Sequence, residues 1–144
     1  MRSIETAIDI DASPDAVWEV LTDLDAYSDW NPFAVEASGQ VEEDAKLRVK
    51  LKPPGKRATV FKPKVTVVEA GAKFEWLGRL LIPGIFDGRH QFHLTSGDVG
   101  THFVQREEFS GMLAGPILGK VGKGTEEGFH AMNRALKARV ESST

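Results

Sequence analysis

Apolar residues recur along this chain with two periods, and the periods divide it into sheet and helix. Ile4, Ile8 and Ile10 alternate with Glu5, Asp9 and Asp11, which predicts a half-buried strand. Ser13, Pro14 and Asp15 then read as N-cap, first helical residue and first-turn acid. Val17, Val20, Leu21 and Leu24 continue at helical spacing. Asp23 to Trp30 predicts another turn or short helix, ended where Pro32 drives Asn31 into an extended conformation. Strand patterns follow at hairpin spacing: Phe33–Ala37, Leu47–Leu51, Phe61–Val67, Phe74–Trp76, Phe86–Leu94 and Thr101–Phe109. Pro53-Pro54-Gly55, Ala70-Gly71, Pro83-Gly84 and Gly97–Gly100 punctuate them.

The last segment changes period. From Pro116 to Val140, the residues Leu118, Val121, Thr125, Phe129, Met132, Leu136 and Val140 form the stripe of an amphipathic helix. Gly119, Gly122, Gly124 and Gly128 thin its first half, each costing about 0.5–1 kcal/mol relative to alanine. The second half is a conventional helix former. This asymmetry predicts a second half packed on the sheet and a first half that leaves space above it. Successive hairpins and one long helix give an α+β fold, a single domain over residues 1–144. Its curved, seven-stranded antiparallel sheet grips the C-terminal helix, with two short helices after strand 1.

Composition narrows the class. With 144 residues the chain buries a core without staples, and it has no cysteine for disulfides or thiolate metal sites. Met1 to Ala12 holds three acids and no apolar run, unlike a secretory signal, and the longest nearly apolar run, Leu80 to Phe86, is too short for a membrane span. A cytoplasmic protein, monomeric or homodimeric, is expected. A net charge of −3 with mixed signs disfavours a nucleic-acid surface. The basic stretch Lys46 to Lys64 alternates with apolar residues; it reads first as a solvated strand face and second as an anion or membrane-surface patch.

Several local sequences carry a resemblance. They are Asp9–Ala12 with Pro14 and Val17-Trp18, Asp29-Trp30-Asn31-Pro32-Phe33, and Pro83-Gly84-Ile85-Phe86-Asp87-Gly88 with His90 and Phe92. Glu107, Phe109-Ser110-Gly111, Gly128-Phe129 and Met132-Asn133 complete the set. Over nearly its whole length the chain resembles the START-like, helix-grip superfamily, and within it the bacterial polyketide cyclase/dehydrase branch of the SRPBCC proteins. That resemblance implies a deep hydrophobic cavity between sheet and helix for a lipid, polyketide, sterol or other apolar molecule. Some such proteins are aromatase/cyclases; others are carriers, sensors or protein-interaction modules. Fold alone does not choose among them.

Chemistry-bearing candidates lie in the final hairpin. No nucleophile elbow, phosphate loop, zinc helix or dinucleotide fingerprint is present, so no cofactor is expected. His90 and His93 lie three apart on a strand and point to opposite faces, which argues against a metal site. Phe86, Phe92 and Leu94 fix an inward phase that includes His90, while Phe103 and Phe109 fix one that includes Gln105 and Glu107. A loop at Gly97–Gly100 sets His90 opposite Glu107. The pair reads as a self-satisfied structural pair, as a polar anchor for a ligand, or as catalytic acid and base in a cyclase or dehydratase. Phe61, Phe74, Trp76, Phe86, Phe92, Phe103 and Phe109 read singly as core and together, opposite a glycine-thinned helix, as an aromatic lining, while Trp30 and Phe33 flank a proline bend as a plug for the short helices or as part of that lining. Met112, Val121 and Thr125 offer contacts from the helix side. The stretches at Pro53–Gly55 and Pro83–Phe86 are expected to border the entrance.

Overall fold

The computed structural model describes residues 2–80 and 84–143, so the expected break at Pro83 lies outside the described residues. The chain runs β1 (Arg2–Ile10), α1 (Pro14–Thr22), a 3-10 turn (Leu24–Ala26), α2 (Tyr27–Trp30), then β2 (Ala34–Ser38), β3 (Arg48–Leu51), β4 (Thr59–Phe61), β5 (Lys64–Glu69), β6 (Lys73–Leu80), β7 (Phe86–Gly97) and β8 (Gly100–Ser110), and ends in α3 (Ala114–Ser142). All pairings are antiparallel. Five strands order as β1-β8-β7-β6-β5 and three as β2-β3-β4. The α+β helix-grip architecture expected from the sequence is present.

The strand count differs by one for a local reason. Phe61 to Val67 reads as one strand, but Lys62-Pro63 divides it into β4 and β5. Proline has no N–H to give to a ladder. The chain therefore leaves β3 at Phe61 and joins β6 at Lys64. The Pro63 carbonyl still accepts from Leu47 N–H (2.8 Å), which ties the two sheets together.

The helix pair follows its sequence signals. The Ser13 hydroxyl accepts from Ala16 N–H at 3.2 Å, capping α1, and Val17 and Leu21 face the core. Tyr27 is buried, and its hydroxyl donates to the Leu21 carbonyl. Asn31, extended before Pro32, places Oδ1 to accept from Phe33 N–H (3.0 Å) and Ala34 N–H (2.9 Å). That side chain thus satisfies the donors at the entry to β2.

The final hairpin sets the register of the whole inner face. Gly97 pairs with Gly100, Leu94 with Phe103, Phe92 with Gln105 and His90 with Glu107. Gly100 has φ +131°, and a Cβ there would lie 2.7 Å from the carbonyl oxygens of Ile10 and Ala12. Only glycine fits this close approach of the hairpin to β1. The second half of α3 buries Phe129, Met132, Leu136 and Val140 in one cluster with Ile10, Val17, Leu21, Phe74, Phe92 and Phe103.

Candidate functional site

The inner face of the large sheet is built in rows, because alternate residues share a face and antiparallel register aligns them. One row reads Phe74, Phe92, Gln105, Thr6; the next reads Trp76, His90, Glu107, Ile4; the third reads Gly78, Gly88, Phe109, Arg2. Phe92 stacks on Phe74 and on Phe103, each at 6.0 Å, and no space remains under the second half of α3. Trp76 stacks on the His90 imidazole at 5.0 Å. Beyond that row the floor is bare at Gly78, and at Gly88 it is covered only by the Glu107 carboxylate.

Above the bare floor lies a cavity of about 540 Å³, within the range of small-molecule sites. Trp76, Gly78, Gly88, His90, Glu107, Phe86 and Phe109 line it from the large sheet. Phe33, Val49, Leu51, Pro53, Phe61 and Pro63 close it on the side of the smaller sheet, and Ile117, Val121, Gly124 and Thr125 face it from α3. Thr59 and four exposed cations, Lys56, Arg57, Arg79 and Lys120, complete the wall.

His90 is almost wholly buried, with Nδ1 3.1 Å from Glu107 Oε1 and Nε2 2.9 Å from Gln105 Oε1. The direction of this network is fixed at its far end. Thr6 donates to the Gln105 backbone carbonyl (3.0 Å), so the Thr6 hydroxyl oxygen accepts from Asn133 Nδ2 (2.9 Å). Asn133 Oδ1 then accepts from Gln105 Nε2 (2.7 Å), and Gln105 Oε1 accepts from His90 Nε2–H. Two acceptors do not face each other across a hydrogen bond. The Nδ1–Oε1 contact therefore holds one proton, carried either by the imidazole or by the carboxyl. Glu107 Oε2 lies over Gly88, where an added Cβ would sit 2.0 Å away. Among the described residues Oε2 has no hydrogen-bond partner, so the second oxygen is available to the cavity.

Two shifted titrations, those of Glu75 and His93, lie on the opposite face of the sheet. Burial raises the Glu75 carboxyl, but hydrogen bonds from Thr66 (2.6 Å) and Arg89 (2.8 Å) more than reverse this and hold it below the usual carboxylate range. Burial lowers the His93 imidazole, helped by the positive charges of Lys73 and Arg106. Among the described residues no three His, Asp or Glu side chains converge on a metal position, and no helix is long and apolar enough to cross a membrane.

The sequence-predicted residues divide in two. Phe33, Phe61, Trp76, Phe86, His90, Glu107, Phe109, Val121 and Thr125 surround the cavity. Phe74, Phe92 and Phe103 do not; they pack against one another and α3 in the solid core. Gln105 is fully buried behind His90 and is spent on the network. Trp30 packs edge-on against Tyr27 at 5.2 Å and plugs the short helices. Met112 is 82% exposed, because the chain turns at Gly111 before α3 begins. At the expected entrance Pro53 and Phe86 line the cavity, whereas Pro54 and Gly55 are exposed.

The glycines of α3 also need correction. Only Gly124 borders the cavity. The Phe33 ring fills the space at Gly128, where a Cβ would lie 2.3 Å from Cδ1. Gly119 is exposed, and Gly122 meets only Leu118 of its own helix. The sheet glycines that border the cavity are Gly78, which leaves open space, and Gly88, where the Glu107 carboxylate takes the place of a side chain. Their signal was present: Gly78 continues the phase of Phe74 and Trp76, and Gly88 that of Phe86 and His90.

Residues 1–141 match the protein family described as polyketide cyclase / dehydrase and lipid transport. The chain belongs to this family. Solved structures with the same fold include the Zhui aromatase/cyclase from Streptomyces sp. R1128, with a TM-score of 0.76 at 18% identity, covering 97% of this chain and 93% of that one. A START superfamily protein from Mycobacterium smegmatis aligns with a TM-score of 0.73 at 19% identity over 99% of both chains. The di-domain aromatase/cyclase StfQ of the steffimycin biosynthetic pathway aligns with a TM-score of 0.76 at 14% identity; this polyketide cyclase/dehydrase-family chain covers 51% of it. No curated protein matches the sequence. At these identities the structural likeness establishes the shared fold.

Proposed function

We propose that this protein binds a hydrophobic small molecule, lipid- or polyketide-like, in the cavity and carries or senses it. The observation that carries this reading is an apolar space of about 540 Å³ whose inner wall presents a single carboxylate oxygen, Glu107 Oε2. A largely apolar ligand would fill the space over Gly78 and direct a hydroxyl or carbonyl group to that oxygen or its proton. Membership of a family that spans cyclases, dehydrases and lipid transport agrees with such a ligand.

A second reading is favoured by the proton that His90 and Glu107 share. A carboxyl backed by an imidazole, with its outer oxygen on an apolar cavity, has the parts of a general acid and base for cyclisation or dehydration of a polyketide-like substrate. The same fold in the Zhui aromatase/cyclase is compatible with this.

The test uses the neutral dye 1-N-phenylnaphthylamine, whose fluorescence rises in apolar surroundings. The wild-type protein should bind it, and Gly78→Leu should reduce binding by about tenfold or more, because the new side chain occupies the floor. Native mass spectrometry of freshly purified protein should show a co-purified apolar mass that Gly78→Leu loses. Equal dye binding by both proteins would overturn the cavity reading. Glu107→Gln should weaken ligands that carry a hydroxyl or carbonyl group more than those without one.

A further inference from the structure

The charges on the cavity wall are unevenly distributed. Lys56, Arg57, Arg79 and Lys120 line it, while its one carboxylate, Glu107, faces His90 on the inner wall. The protein as a whole carries a net charge of −3, so this grouping runs against its overall balance. The four cations come from three separate parts of the fold: the link between β3 and β4, strand β6, and helix α3. Proximity in sequence does not explain their convergence.

Position, not pairing, separates them from the other basic residues: Lys46, Arg48, Lys52 and Lys62 of the same stretch also have no ion-pair partner among the described residues, but they do not line the cavity. Lys50 and Lys64, from the same basic stretch as Lys56 and Arg57, are matched by Glu36 and Asp44, each at 3.3 Å. Arg79 has only a long contact to Asp87, at 3.9 Å. Among the described residues, Lys56, Arg57 and Lys120 have no ion-pair partner. Exposed lysines and arginines on a solvated face need no partner, but these three share an apolar cavity. Val121, beside Lys120 on α3, is itself 47% exposed and lines the same space. The outer wall is thus both apolar and cationic, whereas the inner wall is apolar with one proton-sharing pair.

Resting on the reading of the cavity given above, we infer that the ligand is an anionic amphiphile. Its carboxylate or phosphate sits among Lys56, Arg57, Arg79 and Lys120, and its apolar body lies over Gly78. The orientation follows from charge: an anion placed at the inner wall would be buried beside the net-neutral His90–Glu107 pair with no unpaired cation, whereas at the outer wall it meets cations and water. Arginine suits either anion, since its planar fork matches both geometries.

Displacement of 1-N-phenylnaphthylamine by decanoate, decyl phosphate and decanol tests this, in the wild type and in Arg57→Gln/Lys120→Gln. The readout is the affinity of each anion relative to decanol in the same protein, so any loss shared by all three cancels. The double substitution should lower the relative affinity of the anions by about tenfold, two exposed charge contacts each contributing up to about fivefold. The preference should also shrink as sodium chloride rises from about 0.05 to about 0.5 M, because the contacts are screened. Decanoate and decyl phosphate together report whether the group taken is carboxylate, phosphate or either. If the ratios are the same in both proteins while dye and decanol bind, the anionic head is refuted and the cavity reading stands. If neither dye nor decanol binds the wild type, the cavity reading fails and this inference falls with it.

Discussion

One face of one sheet is solid at one end and hollow at the other, and three successive rows account for the change. In the solid row Phe74 and Phe92 meet Phe129, Met132 and Leu136 of α3 in a single cluster. Two rows further on, Gly78 meets no side chain, Gly88 is covered only by the Glu107 carboxylate, and both border the cavity. The strands, their register and their neighbours are continuous across both. What differs is the side chain at two inward positions. A cavity of this kind arises by omitting volume from the sheet, and the helix contributes only one glycine to its border.

The largest expected effect contrasts phenylalanines from the two ends. Phe92 is fully buried and touches rings on both sides, so Phe92→Ala should cost about 3–5 kcal/mol of unfolding free energy. Phe86 is half-buried, stacks on Phe109 at 5.6 Å and borders space that already exists. Phe86→Ala should cost about 1–2 kcal/mol, mainly lost transfer energy, since little new cavity is made. Urea denaturation of the two variants measures the difference. Equal losses would mean that the hollow end is packed like the solid one.

The boundary between the two ends is polar, and its cost of disruption should be intermediate. Asn133→Ala removes the donor to Thr6 and the shorter of two acceptors of Gln105 Nε2, leaving only the Phe129 carbonyl at 3.4 Å. The expected loss is about 1–3 kcal/mol. Gln105 would also be free to reverse its amide, so the tautomer of His90 would no longer be fixed. NMR of the imidazole nitrogens should show Nε2 protonated in the wild type and a mixed or reversed state in the variant. An unchanged nitrogen spectrum would show that Asn133 supports the fold without directing His90.

These contrasts also mark what the sequence made legible. The placement of His90 opposite Glu107 could be read from residue phases and the loop at Gly97–Gly100, because period-2 geometry leaves little freedom. The division between core and cavity could not be read the same way. Phe74, Phe92 and Phe103 share an inward phase with Phe86 and Phe109, and only their neighbours across the interior separate them. The Gly128 signal misled because Phe33, distant in sequence, supplies the volume that the helix lacks. The four cations come from three segments, and no local pattern joins Lys56 to Lys120.

The smallest effect concerns acid stability and should arise behind the solid rows, on the face away from the cavity. Folding lowers the His93 pKa from its ordinary 6.5, through burial and then the charges of Lys73 and Arg106, with Glu75 and Glu5 opposing. The unfolded chain therefore takes up this proton first. Stability should fall as pH drops from about 6.5 to the lowered folded value and then level off. Glu75 acts in a second window. Its folded pKa is depressed below 4.5, so its contribution is present above that pH and is lost as pH falls through the folded value. Because His93 is only half-buried, the first step should be below about 1 kcal/mol. His93→Asn should flatten the stability profile just below pH 6.5 while leaving the loss below 4.5 intact. Dye binding in the cavity should be the same in His93→Asn as in the wild type across that first window. A parallel loss of dye affinity would mean that the outer face of the sheet and the hollow end are coupled, and that the two ends are less independent than their packing indicates.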